Sequence, residues 1–160
     1  MRDRGQNCTQ SLRVLLVMND TFDLNRFIDA QRAVYPDVLE ELRSGRKRSH
    51  WMWFIFPQLA GLGHSETARF YAISGAAEAT AYLNNPLLGA RLLECTRTVL
   101  EHSGLSAKAM FGTPDDMKLR SCMTLFANVA PEQMCFQQVL DRFFHGDGDE
   151  KTIAMLEQPL

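Results

Sequence analysis

The stretch Gly45-Arg46-Lys47-Arg48-Ser49-His50-Trp51-Met52-Trp53-Phe54-Ile55-Phe56-Pro57-Gln58 decides the fold, because three consecutive cations and both tryptophans of the chain sit between a glycine and a proline. Charged side chains stay in water and the run from Trp51 to Phe56 leaves it, so the segment must cross from surface to core within about one helical turn. We read the aromatic run as a helix capped by Ser49 and closed by Pro57, in preference to the buried strand that so short a run also permits.

Working outward, helical spacing governs both flanks. Upstream, Leu24, Phe27, Ile28 and Gln31 follow a 3.6-residue period after an Asp23 cap. Pro36 suits the first turn of a helix to Leu42, with Val38, Leu39 and Leu42 inward and Arg43 and Arg46 complementing its C-terminus beside Gly45. Downstream, Ser65 and Ser74 read as caps for helices over Glu66 to Ile73 and Gly75 to Asn84, and Pro86 opens one reaching Leu100. Ser106 and Thr113 repeat the pattern, the latter with Pro114 next and Asp116 third. On the helix after Thr113, Leu119, Cys122, Met123 and Phe126 share an apolar face. Lys118 and Ser121 lie at its edge, and Arg120 and Thr124 point away. Pro131 starts a helix burying Phe136, Val139, Leu140 and Phe143, and a terminal helix runs from Lys151 to Glu157. With no repeat and no hairpin signal, the expected fold class is all-α, a single compact multi-helix domain around a central aromatic helix.

Composition agrees. The chain has 160 residues, 46% hydrophobic and 22% charged, with a net charge of −2. That is enough chain for one domain with a substantial core that needs neither metal nor disulfides. Cys8, Cys95, Cys122 and Cys135 are far apart, as expected of reduced thiols in a cytoplasmic protein. No metal site and no cofactor is expected, since His50, His64, His102 and His145 are scattered and no Cys-x-x-Cys pair exists. Residues 1–17 read as an N-terminal extension, poorly ordered and preceding a natural start at Met18, with 18–160 as the helical domain. Their apolar run, Leu12 to Met18, is too short to span a bilayer or to serve as a signal peptide, so no membrane association is expected. The negative net charge disfavours nucleic acid as a partner.

Several motifs together resemble one known family. Asp23-Leu24-x-Arg26-Phe27, the segment from Gly45 through Leu59, Gly61-Leu62-Gly63, Ala68-Arg69-Phe70-Tyr71-Ala72 and Lys118-Leu119-Arg120-Ser121-x-Met123-Thr124-Leu125-Phe126 closely resemble the domain-of-unknown-function family eighteen-ten. The resemblance runs from about Asp23 to the C-terminus. It implies a mainly helical single domain, found largely in bacteria, with no established activity. A fainter likeness, through Ser49-His50-Trp51 and Ala77-Glu78-Ala79, is to the NADAR-type N-glycosidases, which resemble Ser-Glu-His where this chain has Ser49-His50-Trp51. That likeness would imply cleavage of a base-to-ribose bond in a phosphorylated riboflavin intermediate or an ADP-ribosyl adduct.

The residues point to a small-molecule site for a phosphorylated, nucleotide-like ligand. Lys47, Arg48, Ser49 and Lys118, with Ser121, are candidates for phosphate, Trp51 and Trp53 for stacking on a ring, and Gln58 for its edge. His50 and Asp116 are the catalytic candidates should the ligand be hydrolysed at an N-glycosidic bond. Each has an ordinary structural alternative: a solvated charge run after a helix, core tryptophans, and first-turn acids matching the helix dipole, with Asp116 also placed to pair with Arg120. Glu66 and Glu78 read as ordinary helix acids. The competing functional reading is a non-catalytic interaction domain that docks an acidic partner through the basic cluster.

Overall fold

A computed structural model describes residues 21–158. Residues 1–17, the proposed start at Met18 and Cys8 lie outside the described residues. The described residues form ten helices in one all-α domain: α1 (Asn25–Arg32), α2 (Tyr35–Ser44), α3 (Met52–Ile55), α4 (Glu66–Phe70), α5 (Ala76–Asn84), α6 (Pro86–Leu100), α7 (Ala107–Phe111), α8 (Asp115–Val129), α9 (Cys135–Phe144) and α10 (Glu150–Glu157). No helix among them is long and apolar enough to cross a membrane.

Two 15-residue helices, α6 and α8, carry the packing. Both α5 and α9 pack against each of them; α6 also receives α1 and α2, while α8 receives α7 and α10. The core between them is aromatic. Phe27 meets Tyr82 edge-on with centroids 5.0 Å apart, and Tyr82, Phe126 and Phe136 continue the line. All four side chains are fully buried. The face expected on α8 is present, with Leu119, Cys122, Met123 and Phe126 at 0% exposure. Thr124 is equally buried, contrary to expectation, because α10 covers that side: its hydroxyl donates to the Arg120 carbonyl and accepts the Asp149 amide. Cys95, Cys122 and Cys135 are free, buried thiols. Burial pushes Cys95 up to about 12 and raises the other two, so these thiols stay protonated and unreactive.

Helix starts follow the sequence where a cap faces water. Ser65 accepts the Ala68 amide and Ser106 that of Ala109, and Asn85 caps the helix that Pro86 opens. Four expected caps are displaced by other bonds. Asp23 adopts a left-handed φ of 53° and α1 begins after Leu24, the Asp23 carbonyl being taken by Arg26. Ser74 does not cap α5; Gly75 does, and Glu78 reaches back to the Ser74 amide. Thr113 fails as a cap because the Asp116 amide bonds the Gly112 carbonyl. Ser49 is likewise no cap, since its hydroxyl donates to Glu41 rather than accepting from α3. Pro131 lies in a turn ahead of α9, which starts at Cys135. The helix expected to reach Ile73 stops at Phe70, because Ile73 pairs in a parallel bridge with Leu59, donating to the Gln58 carbonyl and accepting from Ala60.

The sharp α5–α6 junction requires Gly89, where any Cβ would be driven into the Leu83 carbonyl. The clash is with backbone and has no flexible side chain to absorb it. Gly89→Ala should therefore cost about 2–3 kcal/mol by overpacking, read as a lower urea midpoint at unchanged m-value.

Candidate functional site

The loop between α2 and α3 is fastened by one buried carboxylate. Glu41 is 6% exposed and lies on the same face of α2 as Val38 and Leu42. It accepts the amides of Arg48 and Ser49, the Ser49 hydroxyl at 2.5 Å and the Trp51 indole N–H at 3.2 Å. Burial alone would raise its pKa, but the Ser49 hydroxyl, the two amides and the indole together outweigh that and hold it below the usual carboxylate range. The backbone amides of Arg48 and Ser49, two of the residues expected to hold a phosphate, are thus already occupied by the protein's own anion.

Two lysines then bridge this loop to α8. Lys47 Nζ lies 2.9 Å from Asp115 Oδ2, donates to the Ser49 carbonyl at 2.6 Å and sits 5.0 Å from the centre of the Trp51 ring. Lys118 Nζ lies 3.4 Å from the other oxygen of Asp115 and 5.2 Å from the centre of the Trp53 ring. Each ammonium therefore has a carboxylate and an indole face, a cation–π arrangement worth about 0.5–2 kcal/mol per pair. The two differ in access: the side chain of Lys47 is 8% exposed and that of Lys118 is 24% exposed.

Lys118 and Trp53 edge a crevice completed by Met52, Phe56, Gln58 and Tyr71. Its free volume of about 10 Å³ is the room of one water. Among the described residues the Gln58 side-chain amide makes no hydrogen bond, although the Gln58 backbone carbonyl accepts from the Ile73 amide. The carbonyl of Phe54, next to Trp53, is held at 2.7 Å by Gln31, itself 1% exposed and bonded to Tyr82. The crevice wall is therefore tied through Gln31 into the α1–α5 core.

Of the residues expected to form a site, the fold brings Lys118, Trp53 and Gln58 together. Trp51 is 1% exposed and presents no face to a ligand. Lys47 and Ser49 are spent on Asp115 and Glu41, respectively. Ser121 is buried and donates to the Met117 carbonyl one turn back. Arg48 and His50 are exposed, and no hydrogen bond or ion pair holds either side chain among the described residues. Asp116 lies roughly 200° around α8 from Lys118, so it cannot serve the same crevice. Among the described residues one of its oxygens is buried without a partner, and Arg120, its expected partner, bonds the Asp147 and Gly148 carbonyls instead.

Sequence reasoning missed Glu41, although its position three residues after Val38 places it on the inward face of α2. It also took Glu78 for an ordinary helix acid. Glu78 is 3% exposed and pairs at 2.7 Å with Arg26, whose guanidinium further donates to the carbonyls of Phe22, Asp23, Phe70 and Ala72. The signal was there in an acid at the third position of α5, where it can reach back to the chain before the helix.

These features define an all-α, single-domain protein whose aromatic loop is pinned from below by a buried acid and bridged from the side by two lysines. The chain belongs to the family described as "Protein of unknown function (DUF1810)", whose model matches residues 21–156. It is similar to a solved structure described as the conserved hypothetical protein Rv1873 from Mycobacterium tuberculosis, with 51% identity and a TM-score of 0.86 over 88% of this chain and 100% of that one. No curated protein matches it.

Proposed function

We propose that the crevice between Trp53 and Tyr71 is a binding site for a small planar, anionic ligand of the phosphorylated nucleotide class. The observation that carries this reading is the half-exposed Lys118 ammonium lying over the Trp53 ring beside the unbonded Gln58 amide. An indole offers a stacking surface, an amide reads a ring edge, and an ammonium takes a phosphate. Because the closed crevice admits only a water, binding requires Trp53 to swing outward, and a ligand phosphate replaces the indole as the partner of Lys118. The lining contains no carboxylate and no imidazole, so the geometry supports binding over hydrolysis of an N-glycosidic bond.

The test is a thermal-shift series with ADP-ribose, NAD and flavin mononucleotide. At ten times its dissociation constant, a ligand should stabilise the wild type by about 1.4 kcal/mol, and Lys118→Ala and Trp53→Ala should each remove the shift while still melting cooperatively without ligand, at a temperature lowered by the lost cation–π pair. Lys47→Ala is the wrong probe, since that ammonium is part of the fold. No shift with any of the three compounds, or shifts that survive Lys118→Ala, would sink the proposal.

A further inference from the structure

The arginines beside the crevice loop have no work inside the protein. Arg43, Arg46 and Arg48 are all exposed, and among the described residues none of their guanidinium groups makes an ion pair or hydrogen bond. Elsewhere the fold readily employs such groups: Arg26, Arg91 and Arg120 each bond specific carbonyls or side chains. The backbone that carries the three free arginines is firmly held. Gly45 closes α2 in the left-handed conformation, the Arg46 amide bonds the Glu41 carbonyl, the Lys47 amide bonds the Met110 carbonyl at 2.7 Å, and the Arg48 amide bonds the Glu41 carboxylate. Because the backbone is already held, only side-chain freedom is lost when these cations are engaged, which lowers the ordering cost of binding.

An apolar residue sits in the same patch. Leu105 is 40% exposed and lies directly over Gly45, its Cδ1 only 2.6 Å from where a Cβ would stand. We infer that the segment from Arg43 to Arg48, with Leu105 over Gly45 between its arginines, docks an acidic, amphipathic peptide segment of a partner protein, with its carboxylates on the guanidiniums and an apolar side chain against Leu105. Charge complementarity selects the acid, since the cluster is cationic on a chain of net charge −2. The leucine selects peptide over single-stranded RNA. An RNA groove needs aromatic platforms beside its cations, whereas Trp51, the tryptophan nearest Arg48 in the chain, is buried.

The experiment is fluorescence anisotropy on the full chain with a labelled peptide of repeating Glu-Glu-Leu, a matching Glu-Glu-Ser peptide and a labelled oligouridylate. The Glu-Glu-Leu peptide should bind best, and binding should weaken with salt. Arg43→Glu combined with Arg46→Glu should weaken it about tenfold or more, whereas Arg32→Glu combined with Lys151→Glu, the same charge change on α1 and α10, should leave it within about twofold. Circular dichroism melts establish that both variants are folded. Equal loss in the two variants, equal binding of the serine peptide, tighter binding of the oligouridylate, or no binding at low salt would each overturn the inference.

Discussion

Arg26→Ala should be among the most damaging single substitutions in this protein, with an expected loss of about 3–5 kcal/mol in urea denaturation. The side chains of Arg26 and Glu78 are only 9% and 4% exposed, so removing the cation leaves a buried carboxylate uncompensated. It also strips a donor from the carbonyls of Phe70 and Ala72, and with them the tie that holds the α4 segment to α1. Glu78→Gln should cost less, because the amide oxygen can still accept from Ser74 and the side chain is neutral. Replacing both charges together, Arg26→Met with Glu78→Leu, should cost less than the sum of the single losses, since neither partner is then stranded. Strictly additive losses would show that the pair is not coupled and that the carbonyl contacts alone matter.

Glu41→Ala is the second large effect, with an expected loss of about 3–4 kcal/mol, because four donors converge on one charged acceptor and one of them, the Trp51 indole, is buried. The loop from Arg46 to Trp51 should loosen before the rest of the domain, visible as faster amide exchange of Arg48 and Ser49 at temperatures where α6 and α8 remain protected. The pH dependence has a definite sign. The folded-state pKa of Glu41 is lowered, so its contribution is fully present above the unfolded pKa and is lost as pH falls through the folded value. Wild type should therefore lose more stability on acidification than Glu41→Gln, whose amide cannot titrate. Parallel pH–stability curves for the two proteins would refute the assignment.

Both effects come from acids that local sequence reading passes over, and the reason is physical. Periodicity reports which positions face inward but assumes that inward means apolar. Glu41 and Glu78 face inward because donors outside their own helices make their burial tolerable: Arg48, Ser49 and Trp51 from the following loop for Glu41, and Arg26 from α1 for Glu78. The displaced caps follow the same logic. Ser65 and Ser106 cap as expected where they compete only with water, whereas the Ser49 hydroxyl is drawn to the Glu41 carboxylate and the Ser74 amide to that of Glu78. The crevice was half legible. Lys118 and Trp53 were both singled out, yet only the packing of α3 near α8 decides that Trp53 faces Lys118 while its neighbour two residues earlier is sealed inside.

The sequence by itself determined the all-α class, the apolar faces of the long helices and the family, because 3.6-residue spacing and a long aromatic signature are local properties. Tertiary structure alone decided which cations are spent and which are free. Lys47 and Arg48 are neighbours in the chain and alike in charge, but one ammonium meets Asp115 from α8 while the adjacent guanidinium is exposed and makes no ion pair among the described residues, a difference set by an acid 68 residues away from Lys47.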